Sequence, residues 1–419
     1  MTRPPQVSSM RDTSTVGLRL AEAANSPPLV LASAQPRLGA PRLPTILRRH
    51  SEWTLRTLHT NGCLLFRGFD VRMPLDFESA VLSIRGVSGM SACFMNSRSR
   101  SSIPGTQFVM DTNSVFKTGA GFRFAGFHAE NYGSPDVPAI LAFWCASRRQ
   151  VGGETGLINM VRVYADLPRA TQAKLESKPH VAVVWPLSAI ARRYRLTSAQ
   201  ARHLCASWGF RSQVVDGSEF VLLWKPNVYL HPMLRRSALL VDFPAAIPRL
   251  KRHLRRSFRD YYAGPAWGLH RLLWELEATR FGGYASSRMT MAAALLRGLR
   301  RPAALLHVLE ENWDLGAVDR IGSESRLNTL LSERELGELA SAMREHFTPC
   351  DWQLGDLLLV DNLQMLHSGM PGIGSRKLGV MLCNRLDLKF PVVSGLVDAV
   401  STEGGSSFEQ QVQSFSRAM

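Results

Sequence analysis

The sequence predicts a mainly β protein with flanking helices, nearer to a β-sandwich or barrel than to a parallel α/β sheet. Three observations carry that reading. From about residue 120 onward, short β-like runs, "GFRFAGFHAE", "AILAFWCAS", "ETGLINM", "VAVVWPL" and "FVLLWKP", are separated by Gly, Pro, Asp and Ser. Helical spacing marks the stretch before them and two later segments, 245–310 and 332–347. With 419 residues, 45% of them hydrophobic, the chain can bury a large core, as one big domain or two ordinary ones.

Residues 1–44 are rich in Pro, Ser, Ala and Arg, show little sustained periodicity, and read as a flexible leader in which "PLVLAS" (28–33) is a candidate short strand. "TILRRHSEWTLRTLHTNG" (45–62) has helical spacing and ends in Asn-Gly, a helix stop. "CLLFRGFDV" (63–71) reads as a buried strand and "DFESAVLSIRGV" (76–87) as a second short amphipathic helix. After the β-like runs, residues 245–310 turn helical and Arg-rich. In "SERELGELASAMREHF" (332–347) Ser332 is followed three residues later by Glu335, the spacing of a capping box at a helix start. "GDLLLVDNLQMLHSG" (355–369) and "RKLGVMLCNRLD" (376–387) read as the last two strands, and 396–419 as a disordered Ser/Gly/Glu tail. The expected organisation is one β domain over 45–395, carrying a basic helical insertion at about 245–310. No internal repeat is present.

The charge is +16 and the pI near 10.2. Such a surface attracts nucleic acid, anionic membrane, acidic small molecules or an acidic protein, and charge alone does not choose among them. Much of the excess lies in 249–301, beginning "RLKRHLRRSFRD", whereas the segments around His128 and His367 are nearly neutral. Six scattered cysteines (Cys63, Cys93, Cys145, Cys205, Cys350, Cys383), with no CxxC pair, argue against a disulfide framework or a structural zinc site and read as reduced core residues. No apolar run is long enough to span a bilayer and no secretory signal is evident, so the expectation is a soluble, cytoplasmic protein.

His128 and Glu130 sit two apart in the aromatic stretch "FAGFHAENYGSP". On a strand, side chains at i and i+2 share a face, about 7 Å apart along the backbone, so an imidazole and a carboxylate would aim into one space. His367, ending the apolar "GDLLLVDNLQML" run, is the best third partner. Two histidines and one carboxylate form the facial arrangement of non-haem Fe(II) oxygenases. The alternative is a hydrogen-bonded core histidine beside an unrelated acid.

The order "FHAENYGSPDVPAILAFWCASRRQVGGETGLIN", then much later "GDLLLVDNLQMLHSGMPGIGSRKLGV", resembles the taurine dioxygenase (TauD/TfdA-like) superfamily of Fe(II)/2-oxoglutarate-dependent oxygenases. Its amino-acid-hydroxylating and clavaminate-synthase-like branches are especially similar, because they carry Glu in the metal motif. The resemblance covers about residues 60–235 and 311–390 and includes "NGCLLFRGF". It implies a double-stranded β-helix core of jelly-roll, cupin-like type. It also implies Fe(II) held by His128, Glu130 and His367, with 2-oxoglutarate and O2 as co-substrates. The family's "GGxT" appears as "GGET", which gives Thr155 a co-substrate carboxylate to bind. Arg376 in "SRKL" is the implied clamp for the far carboxylate, since a guanidinium matches a carboxylate with two parallel hydrogen bonds. Its spacing from His367 is shorter than in many members, so Lys377 stays an alternative. Two departures are the 245–310 insertion and "NSRSRSS" (96–102) in place of the family's frequent "SPR".

The resemblance implies a hydroxylase, or a desaturase or cyclase, acting on an unactivated C–H bond of a small molecule. An amino acid or a carrier-tethered intermediate of specialised metabolism, natural product biosynthesis included, is the expected substrate class. Glu130 disfavours halogenation, because related halogenases replace that carboxylate with a small residue. A zinc deaminase would need P-C-x-x-C after its H-x-E, and none exists. The rival from another class is a basic nucleic-acid-binding protein or a nucleic-acid-directed oxygenase, against which no motif of interleaved aromatics and glycines is present. The insertion reads either as a solvated helical excursion with exposed arginines or as a lid or docking face, for which an acidic carrier protein is the candidate partner.

Overall fold

The structure is a computed structural model and describes residues 18–20, 29–33, 42–90, 102–112, 127–131, 134, 136–239, 248–268, 271–272, 330–370, 372–387, 397–398 and 400–401. Most of the expected leader, residues 121–126 of the first β-like run, residues 96–101, Cys93, most of the insertion beyond 272 and the tail beyond 401 lie outside the described residues.

Along the chain, β1 (Leu18–Leu20) and β2 (Leu29–Ser33) precede α1 (Leu43–Arg49), α2 (Ser51–Asn61), β3 (Cys63–Arg67) and α3 (Pro74–Leu82). Then come β4 (Met110–Asp111), the long β5 (Asp136–Gly152), β6 (Thr155–Asn159), α4 (Met160–Asp166), α5 (Arg169–Ser177) and β7 (His180–Pro186). They are followed by α6 (Leu187–Tyr194), α7 (Ser198–Ser207), β8 (Arg211–Val215), β9 (Ser218–Lys225), β10 (Val228–Leu230), β11 (Ser237–Leu239) and α8 (Pro248–Ser257). The last described elements are α9 (Glu333–Glu345), β12 (Phe347–Cys350), β13 (Leu357–Asp361), β14 (Met365–Gly369), β15 (Gly372–Asp387), β16 (Val397–Asp398) and β17 (Val400–Ser401).

The main sheet runs β1-β2-β3-β13-β5-β15-β17, with β4 also paired to β15. A smaller sheet, β12-β6-β14, faces it. Alternation along β13 explains the packing. Leu357 and Leu359 point to a cluster with Leu43, Ile46, Leu47, Phe77 and Val81 of the N-terminal helices. Leu358 and Val360 point the other way, onto Leu157 of β6, Met365 of β14 and Cys350 of β12. Both faces of the main sheet are therefore buried, which is why "CLLF" and "LLLV" are continuous apolar runs rather than alternating ones. The pair of stacked sheets is the jelly-roll-like core that the sequence leads one to expect, open at its edges rather than closed into a barrel.

Several expectations are met closely. "PLVLAS" is β2, parallel to β3, with Leu31 in the core. The Asn-Gly stop is real, because Gly62 adopts φ 83°, a left-handed conformation that glycine takes without cost. The capping box at α9 is complete, with the Ser332 hydroxyl accepting from the Glu335 N–H and the Glu335 carboxylate accepting from the Ser332 N–H. Five of the cysteines are buried and free, as expected of core thiols.

Two readings need correction. Residues 355–369 are not one strand but two, β13 and β14, which belong to different sheets and are parted by the turn Asp361–Gln364. The run contains no Gly or Pro at that point; buried polar side chains make the break. The His128–Glu130 segment is likewise not a strand. Among the described residues its one ladder contact is an isolated antiparallel bridge, His128 to His367.

Candidate metal and co-substrate site

Despite the missing strand, the three residues converge. His128 and His367 exchange backbone hydrogen bonds, N–H to O at 3.1 and 2.9 Å, and their rings lie 4.4 Å apart between centroids. The Glu130 Oε2 lies 3.6 Å from the His367 Nε2 and 4.0 Å from the His128 Nε2. Glu130 and His367 are buried, while the His128 side chain is 39% exposed, so the cluster opens to solvent on the His128 side.

A metal fits this donor set. The carboxylate oxygen is too distant from either Nε2 for a hydrogen bond. Both distances stay under the roughly 4.2 Å that can separate two donors each about 2.1 Å from one ion, so a small inward movement of the side chains would close them on a metal. The His367 Nε2, 3.6 Å from the Glu130 Oε2, is the nitrogen turned to the cluster, and among the described residues its buried Nδ1 has no hydrogen-bond partner. Two imidazoles and one carboxylate, with an open side, are the donor chemistry of non-haem iron sites.

The co-substrate candidates lie alongside. Strand β6 is the middle of the small sheet, and its alternation puts Thr155 on the same face as Leu157, toward the main sheet. Its neighbour β14 brings His367 opposite Leu157 and Gly369 opposite Thr155. From the main sheet, the Arg376 Nη1 donates to the Gly153 carbonyl and reaches the Thr155 Oγ1 at 3.5 Å. A Cβ on Gly369 would stand 3.4 Å from the Arg376 Nη2, so the guanidinium rests against a bare backbone. Burial pushes the Arg376 guanidinium down from its usual value. Lys377, one position on, is exposed, so its side chain is solvated while Arg376 borders Thr155. Gly152 and Gly153 are both left-handed, at φ 68° and 69°, which brings the Gly153 carbonyl to Arg376 and is the reason for two glycines before Glu154.

Sequence reasoning missed three features here. The Trp352 Nε1 donates to the Thr155 Oγ1 at 2.9 Å, which fixes that hydroxyl as acceptor and leaves its own proton to donate elsewhere. Tyr261, after α8, donates to the Glu154 Oε1 at 2.7 Å and ties the start of the insertion to the GGET loop. The turn before β14 is a buried polar hub. Asp361 accepts from His231, at 3.0 Å, and from Gln364, at 2.8 Å, and pairs with His59 at 2.7 Å.

The hub's His59, His231 and Asp361 also have metal-like spacing. Their hydrogen bonds exclude that use. The His231 Nδ1 accepts backbone N–H groups of Met233 and Leu234, so its Nε2 carries the proton and donates it to Asp361. Burial opposes the charge on Asp361, but hydrogen bonds from His231 and His59 outweigh it and hold the carboxyl well below the usual carboxylate range. The group is a satisfied structural network.

Among the described residues no helix is long and apolar enough to cross a membrane. No curated protein matches the chain by sequence. Solved structures with a similar course include a taurine dioxygenase from Burkholderia xenovorans, 12% identical, covering 91% of this chain and 94% of its own, TM-score 0.43. Another is AAD-2 in complex with Mn(II) and N-oxalylglycine, 14% identical over 90% and 99%, TM-score 0.41. A third is PvcB from Pseudomonas aeruginosa, 11% identical over 84% of each chain, TM-score 0.39. These likenesses are distant, and identity rests instead on the family match. The model of the "Taurine catabolism dioxygenase TauD, TfdA family" covers residues 30–263, which include His128, Glu130 and Thr155 but end before His367 and Arg376. Since that match spans more than half of the sequence, the chain belongs to the TauD/TfdA family and is a non-haem Fe(II)/2-oxoglutarate-dependent dioxygenase.

Proposed function

We propose that His128, Glu130 and His367 hold the Fe(II), that Thr155 and Arg376 bind 2-oxoglutarate, and that the enzyme oxidises an unactivated C–H bond of a small molecule. The observation that carries this reading is the convergence of two imidazoles and a carboxylate within 4.8 Å, beside a partly buried guanidinium and a threonine hydroxyl. Bound Fe(II) supplies the redox chemistry, coupling oxidative decarboxylation of 2-oxoglutarate by O2, to succinate and CO2, with two-electron oxidation of the substrate.

The chain's own groups bind and orient. Arg376, partly buried beside Thr155, pairs with the far carboxylate of 2-oxoglutarate and neutralises it. Thr155, its oxygen already engaged by Trp352, donates its hydroxyl proton to the same carboxylate. The open His128 side is where substrate enters, and positioning there governs rate, since a misplacement of about 1 Å can cost on the order of 100-fold. The substrate class we favour is an amino acid or acyl group of specialised metabolism, free or tethered to an acidic carrier protein that meets the basic helix α8. Hydroxylation is the main outcome, with desaturation or cyclisation as variants on the same site.

The direct test incubates anaerobically purified protein with Fe(II), 2-oxoglutarate and candidate pools, following succinate release and products that gain one oxygen or lose two hydrogens. His367→Ala, still folded, is expected to lose both Fe(II) binding and turnover. Full turnover in that variant would sink the proposed ligand set.

A further inference from the structure

Glu130 belongs to no strand, so something other than a β-ladder must fix it. The side chain of Asn362 does so. Its Oδ1 accepts the Glu130 N–H at 2.7 Å, and its Nδ2 donates to the Glu130 carbonyl at 3.0 Å and to the Pro138 carbonyl of β5 at 2.8 Å. One amide thus satisfies both backbone groups of Glu130, as a neighbouring strand would, and ties them to the main sheet. The amide has one sensible orientation, since flipping it would set its NH2 against an N–H and its oxygen against two carbonyls. Asn362 is fully buried, and its own N–H donates to the Ala139 carbonyl at 2.9 Å.

The residue's place in the chain matters as much. Asp361 on one side is held by His59 and His231, and Gln364 on the other donates to the His59 carbonyl at 2.6 Å. The turn therefore cannot shift without breaking a buried network, and five residues after Asn362 the same backbone delivers His367. His128 is tied to His367 through backbone bonds, and Glu130 is tied to Asn362. A single stretch, 361–367, thus sets the separation of all three side chains.

We propose that Asn362 is a positioning residue that fixes the Glu130 carboxylate for metal binding, an assignment that rests on the ligand set proposed above. Partners that orient metal ligands typically contribute about 10- to 100-fold in metal affinity. Asn362→Ala is expected to weaken binding of Mn(II), titrated alone into metal-free protein and read by electron paramagnetic resonance, by a factor in that range.

A matched control separates positioning from mere stability. Asn227 is also fully buried and also bridges two carbonyls, those of Leu175 and Lys178, at 3.2 and 2.7 Å, but outside the site. Asn227→Ala should lower the urea midpoint as Asn362→Ala does and keep Mn(II) affinity. Equal loss of affinity in both variants, or native affinity in Asn362→Ala, overturns the positioning role. His367→Ala is the third arm: loss of Mn(II) there upholds the ligand set, so that a failure of the Asn362 arm alone condemns only the positioning role, while native Mn(II) affinity in His367→Ala overturns both. If the alanine variant does not fold, Asn362→Asp, which keeps the acceptor and loses both donors, takes its place with the same expectation of weakened Mn(II) binding and the same overturning result.

Discussion

Replacing Arg376 by alanine should raise the apparent KM for 2-oxoglutarate far more than it lowers kcat. A charge-assisted hydrogen bond contributes about 1.5–3 kcal/mol, and each 1.4 kcal/mol is tenfold, so its loss corresponds to roughly 10- to 150-fold. The structure favours the upper part of that range. Arg376 also donates to the Gly153 carbonyl and borders the Thr155 hydroxyl, so its removal loosens the GGET loop and with it the second carboxylate contact. Arg376→Lys restores the charge but not the planar fork, and should recover only part of the loss. The assay is succinate release against 2-oxoglutarate concentration at saturating Fe(II), with calorimetric binding of 2-oxoglutarate to Mn(II)-loaded protein as the check that KM reports affinity. A native KM in Arg376→Ala together with a raised one in Lys377→Ala would refute the reasoning and move the clamp to the exposed neighbour.

Two further outcomes follow from contacts near the site and from a buried histidine. Trp352→Phe removes the donor to Thr155 without emptying the space, and should raise the 2-oxoglutarate KM by about two- to tenfold, near the effect of Thr155→Ala, as expected for a neutral hydrogen bond of about 0.5–1.5 kcal/mol; no change in the tryptophan variant would mean the hydroxyl needs no orienting. His180 is held neutral, its pKa pushed down to about 3 by burial and then by Lys225. Its folded value lies below its unfolded one near 6.5, so the stability it contributes is complete above that pH and is lost as pH falls toward 3. Urea midpoints measured from pH 7 down to pH 4 should therefore fall, and the fall should be shallower in His180→Gln; identical slopes would count against a buried neutral imidazole.

The residues of the candidate site were legible as types, and the H-x-E pair and the distal histidine, read together in the sequence, do converge to within 4.8 Å in the structure. What stayed hidden is how they are held. The break at Asp361–Gln364 gives no local turn signal, because the partners that satisfy its polar groups, His59 and His231, lie 302 and 130 residues away. A buried polar turn of this sort is invisible to periodicity, although the polar "DNLQ" between "LLLV" and "ML" was the one clue to it. The spacing argument for His128 and Glu130 assumed a strand. The structure reaches a similar result with one bridge and one asparagine amide. Trp352 offered no signal, since a tryptophan in an apolar setting reads as core, and its indole N–H matters only through a residue 197 positions away.

The basic helix α8 is less available than its sequence suggests, and this decides how its docking role is tested. Leu250, Leu254 and Phe258 are buried in the core cluster that also holds Leu336, Leu339 and Met343 of α9. On its flank, Arg249 and His253 each reach the Glu333 carboxylate at 2.7 Å, and Arg252 stands at 3.7 Å. His253 and Arg249 hold the Glu333 carboxyl down at about 2. Reversing Arg249 would set two carboxylates together and pry α8 from α9, so any lost carrier binding could be lost structure. Arg256 is exposed and makes no such pair with Glu333. Arg256→Glu is therefore the informative change. If an acidic carrier docks here, that variant should bind it more weakly at low salt, the difference should shrink as salt screens the surface, and turnover of a free small substrate should stay native. Native turnover of both free and carrier-tethered substrates by Arg256→Glu, with no salt dependence in the parent protein, would leave α8 as a helix that braces α9 and nothing more.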